Sequence, residues 1–579
     1  MSEAIELSSD PRRRDQEDGL SRRTRLRDIL GPILLWAAAL PLLGGFRWVA
    51  WPRPPALSVV LGLMPIPEIL LIASLVLILD APRWRRRRLW GAGFLLGVLF
   101  AWNVGEIIYR WNYREHFFLL DDLALLPSLV SMISRVDWFR RPLGMATIYL
   151  LASAVVILLG RGLSGAVELA GSGLRGRRLR RSLGFALALV AVVQGSVAPG
   201  ETPSVLLVQS VVDSVRTARA VEAASLTVAP AAPSPEDLAR AQAVFETVED
   251  RPSFSYPGIA DGDIHLLVVE SYGHTLFTNP VHRENIAETY QSVSESLASR
   301  GWSAASGFLH SPAYGGRSWL ADATLLTGRR MENQRIFDGQ IYTADPSLSG
   351  QMNAAGYRTV YAAPGTRRTP DDWKNYYGFD EYLIEGDMEW NGPFISFGIM
   401  SDQYFLDFLG RRYRDSEEPL FLTALMVSSH VPFVFIPEYI EDWNRLGDGS
   451  IYRTEGIRRF DNNWLGGSEY PEGYVFSIDY VMKTIDGYIE RYVDDTSLVV
   501  IVGDHQPRTP ISEASATYGV PVHFLSRNPT ALEPLVASGL TRGFRPADTA
   551  PLLPMEEFPG LLNTVLKPQG ALAGYMESP

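Results

Sequence analysis

The stretch Asp263-Ile-His-Leu-Leu-Val-Val-Glu270-Ser271 decides how the C-terminal part of this chain is read. Ile264–Val269 is an apolar run broken only by His265, and it stops at a carboxylate. A run without polar alternation suits a strand covered on both faces, as in a parallel sheet. Four further runs share this texture: Ala304–Leu309, Thr359–Ala363, Phe421–Val427 and Leu498–Val502. Between them lie the helical stretches Glu284–Ala298, Leu348–Ala355 and Ser477–Tyr492. Strands alternating with helices predict an α/β domain around a mostly parallel sheet. Ligands of such sheets sit beyond the carboxyl ends of the strands.

Several predicted strands hand off to polar residues at that end. Ile264–Val269 ends at Glu270, Phe421–Val427 at Ser428-Ser429-His430, and Leu498–Val502 at Gly503-Asp504-His505. After Leu309 the chain runs through Gly315-Gly316-Arg317-Ser318 into a predicted helix, Trp319–Leu326. In a parallel sheet all these side chains converge on one edge. Glu270, Asp504, His505 and the Ser318 hydroxyl then form a four-ligand set suited to Zn²⁺, Mn²⁺ or Mg²⁺. Such an ion lowers the pKa of a bound hydroxyl and polarises a phosphoryl oxygen. Ser318 at a helix N-terminus also faces free amides and the positive end of the helix dipole. Arg317 either bridges to phosphate or caps the turn. No single one of these residues is diagnostic; their joint placement at strand ends carries the inference.

The other half of the chain has a different character. The 579 residues carry a net charge of −12, split between 25 Arg against 15 acids in residues 1–200 and 28 Lys+Arg against 50 acids thereafter. The acidic half lacks the basic surface that nucleic-acid phosphates require. The absence of Cys removes disulfides, thiolate ligands and thiol nucleophiles. Five apolar runs are long enough to span a bilayer: Ile29–Phe46, Leu57–Leu79, Leu89–Ile108, Leu143–Gly160 and the shorter Leu183–Val197. Arginines cluster in the N-terminal tail (Arg12 to Arg27), in the second connection (Arg83 to Arg88) and in the fourth (Arg175 to Arg181). With five spans these clusters share one side, the cytoplasm, and everything after Val197 lies outside. The outer segment around His116–Pro127 is either an interfacial helix or an ordinary connection. Residues 201–250 read as a linker with helices, in which Ser234-Pro235-Glu236-Asp237 opens one.

The motifs resemble those of the lipoteichoic acid synthase branch of the sulfatase/alkaline phosphatase superfamily. The strand ending at Glu270, the Gly503-Asp504-His505 triplet and Ser429-His430-Val-Pro-Phe433 carry the likeness. Tyr377-Gly378-Phe379-Asp380 and Gly398-Ile-Met-Ser-Asp402-Gln-Tyr-Phe405 add to it, and the likeness spans roughly Asp263 to Ser526. A five-span anchor matches as well. The resemblance implies an α/β sandwich with one Mn²⁺ or Zn²⁺ held by Glu270, Ser318, Asp504 and His505, with Mg²⁺ as the alternative. Ser318 would be the nucleophile, and His430 would meet the substrate phosphate or the leaving group. The implied reaction takes a headgroup phosphate from a membrane lipid and passes it, through a covalent intermediate, to an acceptor hydroxyl.

The chain departs from that family at two points. Ser318 stands where the family carries Thr, which keeps the hydroxyl. The Phe-Trp-Asn-Arg-like segment that grips glycerol phosphate is replaced by Gly365-Thr-Arg-Arg-Thr-Pro-Asp-Asp-Trp373-Lys374. Trp373 and His523 join Arg317 and His430 as candidate substrate contacts. A sulfatase proper needs Cys or Ser in a Cys/Ser-x-Pro-x-Arg context; Ser311 is followed by Ala313 and Gly315, and Ser318 by Leu320 and Asp322.

The expected organisation is a cytoplasmic tail (1–27), a five-span membrane domain (28–200), a linker (201–250) and an extracytoplasmic catalytic domain (251–579) at the plasma or inner membrane. The expected activity moves a phosphoglycerol- or phosphoethanolamine-type headgroup from an anionic or zwitterionic phospholipid to an envelope glycan or glycolipid. The alternatives are a hydrolase of the same fold and an inactive membrane scaffold.

Overall fold

The computed structural model describes Phe185 and residues 262–340, 347–367, 369, 371–395, 400–463, 466–509, 511–513 and 516–566. The chain divides into two compact units, Met1–Arg216 and Thr217–Pro579, and all elements below belong to the second. The tail, the five proposed spans and the proposed linker lie outside the described residues, Phe185 apart. No helix among the described residues is long and apolar enough to cross a membrane.

Nine strands form the main sheet: β1 (Ile264–Val269), β2 (Ser303–His310), β3 (Arg358–Ala363), β4 (Glu381–Ile384), β5 (Leu420–Met426), β6 (Leu498–Gly503), β7 (Gly519–Ser526), β8 (Thr541–Arg542) and β9 (Leu552–Pro554). The principal helices are α1 (Pro280–Ser299), α2 (Ser318–Thr327), α3 (Gln334–Gln340), α4 (Leu348–Ala354), α5 (Asp371–Tyr377), α6 (Asp402–Tyr413), α7 (Tyr470–Tyr492) and α8 (Phe558–Leu566). The order across the sheet is β8-β2-β7-β6-β1-β5-β3-β4, with β9 also paired to β2. Each of the five predicted strands is present. β1 pairs in parallel with β6 and with β5, and β3 pairs in parallel with β5 and β4.

β7 runs antiparallel to both of its neighbours, β6 and β2. A parallel neighbour of β6 would need a long crossover, usually helical. The described part of the connection 504–518 contains no helix, so the chain doubles back. Because β7 opposes both, β2 and β6 still point the same way, and the carboxyl end of β2 opens on the same edge as those of β1, β5 and β6.

The register brings that edge together. Val269 lies opposite Gly503 on one side and Met426 on the other, so β1, β6 and β5 end level. The next residues, Glu270 and Asp504, therefore leave adjacent strands at the same height. Gly503 is needed there, because a Cβ would lie 2.0 Å from the Tyr272 carbonyl oxygen.

Successive residues of the strands point to opposite faces, and two cores result. Leu267, Val269, Leu422, Ala424, Val499 and Ile501 pack with Ile286 and Tyr290 of α1, Phe405 of α6 and Ile478 of α7. Leu266, Val268, Phe421, Val500 and Val502 pack with Leu320 of α2, Phe337 of α3, Met352 of α4 and Phe558 of α8. The domain is thus a three-layer α/β/α sandwich. Local signals fix its helix starts. Asn279 accepts from the amides of Val281 (3.0 Å) and His282 (3.3 Å), with Pro280 first in α1. Ser401 accepts from Tyr404 N at 3.2 Å to open α6.

Candidate active site

Ser318 is delivered by a turn whose backbone only glycine enters freely. Gly315 and Gly316 have φ of 69° and 150°, and Arg317 follows in the left-handed region at 64°. α2 begins at Ser318, and its N-cap residue Arg317 makes no side-chain hydrogen bond to the helix amides. The start of α2 is the positive end of its dipole.

The four residues, from three places in the chain, meet. One donor atom each from Glu270, Asp504 and His505 lies within 4.8 Å of the other two. Ser318 Oγ donates to Glu270 Oε2 at 3.0 Å and sits 3.3 Å from His505 Nε2. That same Nε2 is 3.3 Å from Glu270 Oε1 and 3.4 Å from Asp504 Oδ2. His505 Nδ1 lies 2.8 Å from the Gln506 carbonyl oxygen. With Nδ1–H donating there, the Nε2 lone pair faces the cluster, as in a metal ligand. Backbone and hydroxyl contacts hold the carboxylates. Asp504 Oδ1 accepts from Ser271 N (2.7 Å) and His505 N (2.6 Å), and Ser271 Oγ donates to Glu270 Oε1 at 2.8 Å.

The electrostatics of this set call for positive charge. Burial and the neighbouring Glu270 raise the Asp504 carboxyl to about 7. Burial also works to raise Glu270, but the His430 and His505 rings outweigh it and hold this carboxyl well below its usual range. Burial lowers His505, yet Asp504 and Glu270 lift it to about 10. Two buried carboxylates, an inward-facing imidazole nitrogen and a hydroxyl are a mixed donor set that fits Mn²⁺ or Zn²⁺.

The remaining sequence candidates fall into two groups. His430 belongs with the cluster. It follows β5, its Nδ1 lies 2.6 Å from the Val431 carbonyl, and its charge interacts with Glu270. His523 does not reach the rim. It sits opposite Ile501 in the body of the sheet, with Nε2 2.8 Å from Tyr272 Oη and Nδ1 2.9 Å from Ser306 Oγ. Its nitrogens are occupied within the fold because β7 returns through the sheet interior. Trp373, in α5, packs edge-on against Phe337.

Three residues of this region were not singled out from the sequence. Asp402 is fully buried at the start of α6, and its two carboxylate oxygens accept from Val427 N (2.9 Å) and Ser428 N (3.0 Å). Ser428 Oγ in turn accepts from Asp402 N at 3.0 Å. This clamp fixes the loop that carries His430, and the next hydroxyl, Ser429 Oγ, donates to the Glu270 carbonyl at 2.5 Å. Arg508 bears electrostatically on His430 and donates to Tyr470 Oη at 2.6 Å. Its signal was its place, in the same loop as Asp504 and His505. Asp322, the third, is buried in α2 one turn after Ser318. Burial and then the Asp504 and Glu270 charges push its carboxyl well above the usual range. The four-residue spacing from Ser318 was its signal.

Comparison with known proteins places this domain. Among solved structures, the chain is similar to the lipoteichoic acid synthase LtaP of Listeria monocytogenes, with 16% identity, 48% of this chain and 68% of that one covered, and a TM-score of 0.33. It is similar to the phosphoglycerol transferase GacH of Streptococcus pyogenes, with 16% identity, 58% and 93% covered, and a TM-score of 0.33. The integral membrane lipooligosaccharide phosphoethanolamine transferase EptA of Neisseria meningitidis gives 12% identity, 91% and 95% covered, and a TM-score of 0.43. No curated protein matches the chain by sequence. The family model described as Sulfatase matches residues 286–529, a span that includes Ser318, His430, Asp504 and His505. Residues 286–529 are therefore similar to the Sulfatase family, and the described domain is an α/β sandwich around a mostly parallel sheet.

Proposed function

We propose that this chain is a membrane-anchored, metal-dependent transferase that moves a phospholipid headgroup phosphate, of phosphoglycerol or phosphoethanolamine type, to an envelope glycan or glycolipid. Glu270, Ser318, Asp504 and His505 hold one divalent ion, Mn²⁺ or Zn²⁺. The observation that carries this reading is the place of the Ser318 hydroxyl: 3.0 Å from Glu270 and 3.3 Å from His505, at the positive end of α2.

Bound there, the ion supplies Lewis acidity and favours the alkoxide of Ser318. Ser318 Oγ attacks phosphorus, an O–P bond forms, and the ester oxygen of the diacylglycerol leaves with a proton. His430, on the rim, is placed to give that proton and later to take one from the acceptor hydroxyl. The acceptor oxygen then attacks the same phosphorus, its proton passing to His430, and releases Ser318 as the alkoxide that began the cycle, so one hard step becomes two. Arg508 and the start of α2 would supply positive charge for the phosphoryl oxygens. Tethering by the five proposed spans would raise the effective concentration of lipid headgroups. That arrangement puts the catalytic domain on the outer side of the plasma or inner membrane.

Intact-mass analysis of the full chain in detergent, incubated with phosphatidylglycerol or phosphatidylethanolamine, tests this reading. A mass increment of one phosphorylated headgroup, absent in Ser318→Ala, is the expected result. An unmodified Ser318 under turnover, with activity retained in Ser318→Ala, would end it. The second reading is a phosphodiesterase in which water is the acceptor; an adduct discharged as fast by water as by a glycan hydroxyl would select it. Sulfatase chemistry is disfavoured by the residues after Ser318, Leu320 and Asp322, which do not form the Pro-x-Arg context.

A further inference from the structure

We propose that a two-stranded ribbon beside the rim, Phe435–Pro437 paired with Ile457–Arg459, is a docking surface for an anionic phospholipid bilayer. The proposal deepens the transferase reading and rests on it, because that reading places the donor in a membrane. The ribbon is antiparallel, with Phe435 opposite Arg459 and Ile436 opposite Arg458. Ile436 is fully buried in the core that also holds Phe433, so the ribbon is fixed to the domain. Phe435, the preceding residue, is 41% exposed. A single exposed ring is ordinary; the groups around this one are not.

Two consecutive arginines flank it. Arg459 lies over the Phe435 ring at 5.8 Å, and Arg458 lies over Phe460 at 5.0 Å and Phe476 at 4.8 Å. Stacking orders each guanidinium without using its N–H groups. Neither side chain makes an ion pair or a hydrogen bond among the described residues. In residues 201–579 acids outnumber Lys and Arg by 50 to 28. Arg300, Arg358, Arg367, Arg412 and Arg542 accordingly all have carboxylate partners. The acids nearest the ribbon in sequence are directed elsewhere: Glu455 pairs with Arg445, and Glu469 accepts from Asp461 N at 2.6 Å. The missing counter-charge is supplied by phosphate, whose oxygens match the planar donor fork of Arg. An exposed ring between such cations suits a phosphate layer above an apolar one, and a negatively charged leaflet attracts both arginines.

The position of the ribbon gives the contact a use. It begins five residues after His430. Between them, Phe433 packs edge-on against Tyr470 and Tyr474 at the start of α7. Tyr470 receives Arg508, and Tyr474 Oη donates to the Ser271 carbonyl at 2.9 Å, so this end of α7 belongs to the rim. Past Pro437 the chain reaches Tyr439, whose hydroxyl lies against Gly487 near the other end of α7. Phe435 and Arg459 are therefore at the rim end of the ribbon, and docking there turns Ser318 toward the headgroups.

The chain has no Cys, so Phe435→Cys carries a single nitroxide in place of the ring. The labelled full chain is reconstituted into vesicles of phosphatidylcholine, alone or mixed equally with phosphatidylglycerol. Electron paramagnetic resonance then reads the label's access to oxygen and to a water-soluble nickel chelate. In the mixed vesicles the label should be open to oxygen and shielded from the chelate. A label at Asp495→Cys, just before β6 at the opposite edge of the sheet, should stay in water. Adding Arg458→Gln and Arg459→Gln should return the label at 435 to water, and so should high salt on the otherwise unaltered chain. A label at 435 that stays in water in both vesicles, that reads lipid equally without phosphatidylglycerol, or that keeps lipid contact without the two arginines overturns the proposal. Lipid contact with no Ser318 adduct removes the transferase reading and leaves the surface; an adduct with no lipid contact does the reverse.

Discussion

His505 and His523 are buried to almost the same degree, yet their surroundings drive them in opposite directions. His505, just past β6, meets two carboxylates that outweigh burial and lift it to about 10. His523, in the body of β7, meets Tyr272 and Ser306, and burial lowers it to about 3. The first ring is itself held as a cation at the rim; the second is a neutral cross-link within the fold. Burial therefore does not distinguish a functional histidine from a structural one. What separates them is whether charge or only dipoles face the nitrogens.

The largest effect should come from removing the charge at the rim. Asp504→Asn is expected to lower transfer by about 10⁴-fold, as losing one member of a catalytic unit does, and to lose the bound divalent ion in elemental analysis. In the wild type, an ion at a hundred times its Kd should stabilise the fold by about 2.7 kcal/mol. That stabilisation, read as a shift in thermal unfolding, should vanish in Asp504→Asn. If the variant keeps its ion, the contrast between the two histidines loses its meaning.

The next effect falls on the other side of the comparison. His523→Ala removes one hydrogen bond from each of the Tyr272 and Ser306 hydroxyls, which keep Tyr290 and the Gly543 and Phe544 carbonyls, at a cost of about 0.5–1.5 kcal/mol for each bond lost. Urea unfolding should report that loss while the metal count stays unchanged. A lost ion in this variant would mean that the two histidines act as one site. Smaller still is Asp402→Asn, which keeps one of the two acceptors for Val427 N and Ser428 N. Because Asp402 acts through the His430 loop, kcat should fall by about tenfold with metal affinity unchanged. An unaltered kcat would show that the clamp does not position His430.

The same contrast can be read in pH dependence. His523 has a folded pKa of about 3, below the ordinary histidine value of 6.5. The unfolded chain thus takes up the proton first, and stability falls as pH drops from 6.5 toward 3. One such group contributes a slope of up to about 1.4 kcal/mol per pH unit in that window. His265 and His282, each lowered to about 4, act in the same sense. His523→Gln should reduce the slope measured by urea unfolding by one proton, and an unchanged slope would contradict the neutral role.

The rim was legible in the sequence because uninterrupted apolar runs announce strands covered on both faces, and each run ends at its polar residue. β1 has the bounds expected, and β5 and β6 differ from theirs by a residue. What stayed hidden depends on direction and on faces. Nothing local says that β7 runs backward, and that reversal carries His523 into the sheet. Asp322 sits among Leu320, Ala321, Ala323 and Thr324, where a polar side chain reads as an exception in an apolar helix. Its relation to Ser318 emerges only once Ser318 is known to begin the helix. Asp402 was visible within a motif, but its function is to bind amides of a strand end far away in sequence.

The level ending of β1, β5 and β6 has a consequence for how such a centre changes over time. Neighbouring strands lie about 4.8 Å apart, so side chains leaving two of them at equal height need only short arms to share an ion with bonds of about 2 Å. The ion-sized gap is set by the backbone ladder and owes little to the surrounding loops. Loop sequences around the rim, such as 364–367, are then free to diverge while the centre keeps its dimensions. A single-residue insertion inside any of these three strands would instead turn the arm to the opposite face.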